Sequence, residues 1–265
     1  MTNLAVTVSD ALTMLRRDLR HQRRYPSVTV ILVGMPIVFL LLFVYILGDT
    51  LGTGLGNAIG GRAAYVQYVV PGILLIAIAA VTTGTAISVA TDMTEGIIAR
   101  FRSMAISRVA VLSGHALGAT MQTLLSLAIL MAVSLLVGFR PTTGAAQWAA
   151  AFAVLLLITF ALTWIAVALG TVAKSVESAS NLPMFLLFLP FLGSGFVPTE
   201  SLPAGVSWFA EHQPFTPFIE TIRGLLLGTP MGNSAILTVA WCLALSIGGY
   251  TWARLSYDQR SVRPS

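Results

Sequence analysis

Residues 91–108 read as a cytoplasmic loop that sets Asp92, Glu95, Arg100, Arg102 and Arg108 among Ile97, Ile98, Phe101 and Met104. Side chains of both signs interleaved with large apolar ones suit charge-assisted hydrogen bonding around a buried anchor, the chemistry of a protein-docking surface. A purely solvated loop has no use for the apolar members, and the other reading is an interfacial helix whose arginines snorkel to water. Motifs for bond-making chemistry are missing. There is no G-x-x-x-x-G-K-[ST] loop to cradle a phosphate, no H-E-x-x-H and no G-x-S-x-G. The single lysine, Lys174, lies in a short polar link. His21, His115 and His212 are scattered, and Glu211 and His212 are neighbours that diverge on a helix. We read these histidines as polar residues at membrane boundaries. Cys242, the sole cysteine, leaves no route to an internal disulfide or a cysteine-based zinc site.

The elements that must position the charged stretch belong in lipid. Of 265 residues 56% are hydrophobic and 9% charged, against about 25% charged in soluble domains. This excludes a water-soluble enzyme, a secreted domain and a disordered chain. The net charge of +5 comes from 14 arginines and one lysine that cluster between apolar runs, where they act as topology signals rather than as contacts to nucleic acid.

Residues 1–26 repeat Leu4, Val8, Ala11, Leu12, Leu15 and Leu19 at helical spacing, with Arg16, Arg17, Arg20, Arg23 and Arg24 on the polar side. This predicts a cytoplasmic amphipathic helix lying on the membrane. Residues 27–253 then predict a transmembrane domain of six spans, near 27–48, 68–90, 109–138, 148–173, 181–197 and 233–253. Pro183 and Pro190 should bend the fifth. The stretch 198–232, broken by Pro198, Pro203, Pro214, Pro217 and Pro230, predicts short re-entrant or interfacial helices on the outer side, with Glu220 and Arg223 one turn apart and able to pair. Residues 254–265 form a basic tail. The expected fold class is thus an all-α membrane protein of six transmembrane helices, with an N-terminal amphipathic helix and re-entrant helices before the last span.

Placing both termini in the cytoplasm puts twelve of the fifteen Lys and Arg residues inside, leaving Arg62, Arg140 and Arg223 outside. Phe185, Phe188, Phe191 and Phe196 recur along the fifth span, where they line an apolar substrate path or face lipid. No predicted span centre carries Asp or Glu, which a proton-coupled secondary carrier would be expected to bury there.

The stretch Asp92-x-x-Glu95-Gly96-x-x-x-Arg100-Phe101-Arg102-Ser103-Met104-x-x-Ser107-Arg108 resembles the coupling segment of type-2 ABC exporter permeases, especially the daunorubicin-resistance, DrrB-like group. A second resemblance runs through Gly195-Phe196-Val197-Pro198, Ser201-Leu202-Pro203, Gln213-Pro214-Phe215-Thr216-Pro217 and Glu220-Thr221-Ile222-Arg223-Gly224-Leu225-Leu226-Leu227-Gly228. With the six-span plan and the basic N-terminal helix, the likeness extends over essentially the whole chain. One departure is Ala105, where many members carry proline.

The resemblance implies a permease subunit of the plasma (inner) membrane that binds no cofactor itself. Its expected partners are a second permease chain, identical or homologous, and two ATP-binding subunits that hold ATP and Mg. It assigns ATPase coupling to Asp92, Glu95, Gly96, Arg100, Phe101, Arg102, Ser103 and Met104, and makes residues 1–26 a connecting helix. The implied cargo is an amphipathic or hydrophobic drug or lipid moving outward. A glycan or lipid-linked polymer exporter of the same family, a proton-coupled carrier and a membrane enzyme are the alternatives.

Overall fold

The computed structural model describes residues 26–53, 61–94 and 108–262, and among them every regular element is helical. Helix α1 (Pro26–Leu42) continues through a π-helical turn, Phe43–Leu47, into α2 (Gly48–Thr53). Then follow α3 (Arg62–Thr94), α4 (Arg108–Val137) and α5 (Ala145–Val172). Short helices α6 (Val176–Asn181), α7 (Met184–Phe188), α8 (Ala204–His212) and α9 (Phe215–Leu227) lead to α10 (Ser234–Val262). Five stretches among the described residues are long and apolar enough to cross a membrane: Val30–Thr53, Arg62–Thr94, Leu112–Val137, Ala145–Val172 and Ser234–Tyr257.

A helix that is apolar on every face is buried on every face. Helix α3 is such a helix: consecutive residues from Val69 to Ala79 are all buried. Around it stand Leu40 and Val44 from the first stretch, Leu127 and Leu130 of α4, Ile158 and Leu162 of α5, and Phe215, Phe218 and Ile222 of α9. Where lipid and protein interior are equally apolar, close packing rather than water exclusion brings helices together, and small residues set the approach. A Cβ on Gly170 of α5 would lie 2.7 Å from the Ala86 carbonyl oxygen of α3. One on Gly249 of α10 would lie 2.8 Å from the Trp164 backbone.

These contacts fix direction. Helix α3 runs antiparallel to α1, since the Arg62 N–H donates to Asp49 while Leu32 reaches Gly84. It runs antiparallel to α4, with Asp92 against His115 at one end and Gln67 against Gly138 at the other. It is parallel to α5 and α10. The molecule therefore has an Asp92 end and a Tyr65 end.

The predicted fifth span does not form one helix. Ser175 starts α6 through a reciprocal capping box with Ser178, and the helix ends at Asn181. Pro183 then restarts the chain as α7, whose last helical residue is Phe188, and residues 189–197 continue as successive turns. Two prolines seven residues apart each remove a backbone donor and crowd the carbonyl four residues earlier. Both fall within one short stretch, so the outcome is a broken path rather than a bend.

Short helices do form over 198–232. Pro198, Pro203 and Pro214 each stand immediately before a helical start, where a missing N–H costs nothing. Gly228, at φ 72°, ends α9 in the left-handed conformation. The last helix continues through Val262, past the expected start of the tail at 254. The predicted connecting helix with Arg16, Arg17, Arg20, Arg23 and Arg24 lies outside the described residues.

Candidate functional site

Helix α3 is 33 residues long, about 50 Å at 1.5 Å per residue, and its two ends hold the polar groups of interest.

At the Asp92 end the helix passes the expected boundary at Ala90. Thr91 and Thr94 return their hydroxyls to the carbonyls of Ile87 and Ala90, and the last helical residue is Thr94. Asp92 therefore sits in a helix rather than in a loop. Its side chain is buried, and its Oδ2 lies 3.1 Å from His115 Nε2 of α4. Val89, Leu112, Ala116, Trp164, Val167, Ala253 and Tyr257 form an apolar cluster at this end. The other predicted coupling residues, Glu95, Gly96, Arg100, Phe101, Arg102, Ser103 and Met104, lie outside the described residues, on the segment that joins α3 to α4.

At the Tyr65 end a second polar site gathers side chains from three elements. Arg223 of α9 donates through Nη2 to the Ser194 carbonyl at 2.6 Å and the Tyr68 carbonyl at 3.1 Å. Its guanidinium carbon stands 3.9 Å from the Tyr68 ring centroid, an arrangement that suits a planar, weakly hydrated cation. Glu220, expected to pair with Arg223, instead accepts from the Ser234 hydroxyl of α10 at 2.6 Å. Each side chain meets a neighbouring element rather than its own helix, because here two buried carbonyls are the nearer acceptors for the guanidinium.

Around this site the 189–197 turns are fastened at several points. Gln213 donates to the Leu189 carbonyl and accepts from the Phe215 N–H. Thr216 Oγ1 accepts from the Ser194 N–H at 3.4 Å and donates in turn to the Ala210 carbonyl. The Tyr65 hydroxyl donates to the Phe196 carbonyl at 3.3 Å. The turns rest directly on α3: a Cβ on Gly72 would stand 2.8 Å from Gly195 Cα, so only glycine allows this approach. A Cβ on Gly193 would meet the side chains of Gln213 and Thr216.

The four phenylalanines of the predicted path separate. Phe191 and Phe196 stack with centroids 4.6 Å apart and planes 5° from parallel. Phe43 of the π-helical turn lies 4.4 Å from Phe196, and Phe39 meets Phe191 edge-on at 5.8 Å. Phe185 and Phe188 point away and are exposed. Phe39, Phe43, Tyr68, Ser194 and His115 are the members that sequence reasoning missed. The one signal for His115 was physical: a buried carboxylate at the end of α3 requires a polar partner at the same depth.

Residues 10–227 match the family model described as ABC-2 type transporter. The chain is 31% identical over 226 residues to the daunorubicin resistance ABC transporter permease protein DrrB1 of Streptomyces coeruleorubidus, an alignment covering 85% of this chain and 77% of that one. It is 27% identical over 204 residues to the probable doxorubicin resistance ABC transporter permease protein DrrC of Mycobacterium tuberculosis, covering 72% of each. The family match takes in α1 to α9 with both ends of α3, and the chain belongs to the ABC-2 type transporter family.

Proposed function

We propose that the chain is the membrane subunit of an ATP-driven drug exporter, and that it works with a second permease chain and two ATP-binding subunits that hold ATP and Mg. The observation that carries this reading is the family match over residues 10–227, joined to the two resistance permeases it resembles. From those relatives' names comes the cargo class, an amphipathic or hydrophobic drug.

The Asp92 end is the cytoplasmic end in this reading. Among the described basic residues Lys174 and Arg254 belong to it, while Arg62, Arg140 and Arg223 belong to the other, which accords with the charge rule. Both termini are then cytoplasmic, and the protein is a multi-pass component of the plasma membrane. The 176–197 segment serves as the sixth crossing, a discontinuous one. In support, Ala179 packs beside Ala90 near one end of α3, while Gly195 and Phe196 meet Gly72 and Tyr65 near the other. From residue 90 to residue 65 is about 37 Å of helix, more than the hydrocarbon thickness of about 30 Å. Helices α8 and α9 are the external re-entrant pair, and residues 1–26 the connecting helix.

In the coupling step, closure of the ATP-binding subunits pushes on residues 95–107. Glu95, Arg100 and Arg102 supply charge-assisted contacts and Phe101 the anchor. Cargo passes along an apolar path that includes Phe191 and Phe196, opening alternately to each side. A proton-coupled carrier fits less well, because the carboxylates within the described spans, Asp49 and Asp92, stand near helix ends.

The test is purification of the tagged protein from its native membrane in mild detergent, followed by reconstitution with any co-purifying chains and assay of ATP-dependent daunorubicin uptake into inside-out vesicles. A stoichiometric partner with a phosphate-binding loop and ATP-dependent uptake are expected. A preparation free of ATPase, whose uptake follows a proton gradient, would overturn the reading.

A further inference from the structure

Asp92 and His115 bury an acid and an imidazole where α3 and α4 enter the segment that joins them. Apolar side chains of α3, α4, α5 and α10 cluster at the same end, and taking polar groups out of water has a cost that a bond between them offsets only where its geometry is good. Packing alone therefore gives no reason for the pair.

The placement gives one. Of its most apolar stretch, α4 has 33% buried against 72% for α3, so α4 turns more of its surface outward and fewer neighbours surround it. Polar bonds join the two helices near both extremes. At the Tyr65 end Gln67 donates to the Gly138 carbonyl and accepts from the Arg140 N–H, each at 3.1 Å. At the Asp92 end the carboxylate–imidazole bond does the same. Between them Leu127 and Leu130 of α4 pack on the core around α3, and apolar contacts of that kind are non-directional and permit sliding.

We propose that His115 is a positioning residue for energy coupling: bonded to Asp92, it ties the inner ends of α3 and α4 so that a thrust on residues 95–107 moves both helices as one hairpin instead of splaying them. The inference rests on the coupling role proposed for residues 95–107. It gives Asp92 a task inside the permease, whatever contacts its neighbours make with the ATPase.

The experiment places spin labels at Thr94→Cys and Leu117→Cys, both exposed, in a Cys242→Ala background. The full complex sits in lipid vesicles with and without a non-hydrolysable ATP analogue. With His115 present the interlabel distance should be the same in both states. With His115→Leu it should change on nucleotide binding by about 3 Å or more, the length of the lost bond, and daunorubicin moved per ATP should fall roughly tenfold. His115→Gln, which restores a donor, should return both readouts. Asp92→Leu should also let the distance change on nucleotide binding, and adding His115→Leu to it should widen that change no further. If one leucine variant fails to reach the membrane, the other carries the comparison. A distance that shifts equally in the presence of His115, or stays fixed in the leucine variants with transport per ATP unchanged, overturns the tie. A further pair of labels at Thr94→Cys and Val172→Cys separates the two levels: no nucleotide response there would sink the coupling role of residues 95–107 itself.

Discussion

Replacing Arg223 with methionine should loosen the Tyr65 end while leaving the rest of the helix bundle intact. The guanidinium makes two hydrogen bonds to carbonyls, at 2.6 and 3.1 Å, and lies 3.9 Å from the Tyr68 ring centroid. A hydrogen bond from a charged donor contributes about 1.5–3 kcal/mol and the ring contact about 1 kcal/mol. Against this, Nε finds no acceptor among the described residues, and a buried donor left unmade costs about 1–3 kcal/mol. The net loss should be about 3 kcal/mol, with Glu220 keeping its hydrogen bond from the Ser234 hydroxyl. Arg223→Lys keeps the charge but not the fork and should cost roughly half as much. The assay is thermal unfolding of the purified protein in detergent, paired with limited proteolysis. Methionine should lower the midpoint by several degrees and speed cleavage between residues 189 and 203, with lysine intermediate. Equal midpoints and equal cleavage in all three proteins would refute the claim that Arg223 fastens the broken segment to α3.

Gly72→Val should force the 189–197 turns off α3, since the first added carbon already lies 2.8 Å from Gly195 Cα; reduced membrane yield and lost daunorubicin uptake should be read against Gly34→Val, a position with open space around its Cβ. Phe43→Ala removes a ring 4.4 Å from Phe196 and should change the uptake rate severalfold, whereas Phe185→Ala, at an exposed side chain, should leave it within about twofold; equal effects would mean that the Phe43 ring does not border the path proposed along Phe191 and Phe196. Phe101→Ala or Glu95→Ala should lower both transport and ATPase stimulation without altering membrane insertion, checked by fractionation and nucleotide turnover of the assembled complex.

The long apolar runs were legible because lipid imposes one requirement on all of them, backbone hydrogen bonds satisfied within a helix over about 20 residues. The 176–197 segment escapes that rule: its turns lie against α3, where Gly72 admits Gly195, and its carbonyls are met by Arg223, Gln213 and Tyr65. The prolines announced a disturbance, but whether it would be a bend or a break depended on partners more than a hundred residues away in Tyr65 and Tyr68. The Glu220–Arg223 pair was inferred from spacing alone, and spacing says nothing of the acceptors on neighbouring helices. Asp92 was assigned to a loop on its charge, although the two threonines that carry α3 past Ala90 were visible beside it. Phe191 and Phe196 shared a periodicity with Phe185 and Phe188 that had meaning only if the segment were a single helix.

The Gly72–Gly195 contact also has a mechanical aspect. Seen from the broken segment, it divides α3 unequally, with 20 residues toward Asp92 and 7 toward Tyr65, arms of about 30 and 10 Å. A rod bearing on such a point acts as a reduction gear: a displacement of about 3 Å at the Asp92 end arrives as about 1 Å at Tyr65, with the force multiplied by the same ratio. Label distances measured at both ends during nucleotide binding would show that inequality, and equal displacements would mean that α3 translates instead of pivoting. With the Asp92 end taken as the cytoplasmic one, a stroke of broad travel there would reach the far end as a short, forceful one, suited to parting closely packed aromatic rings.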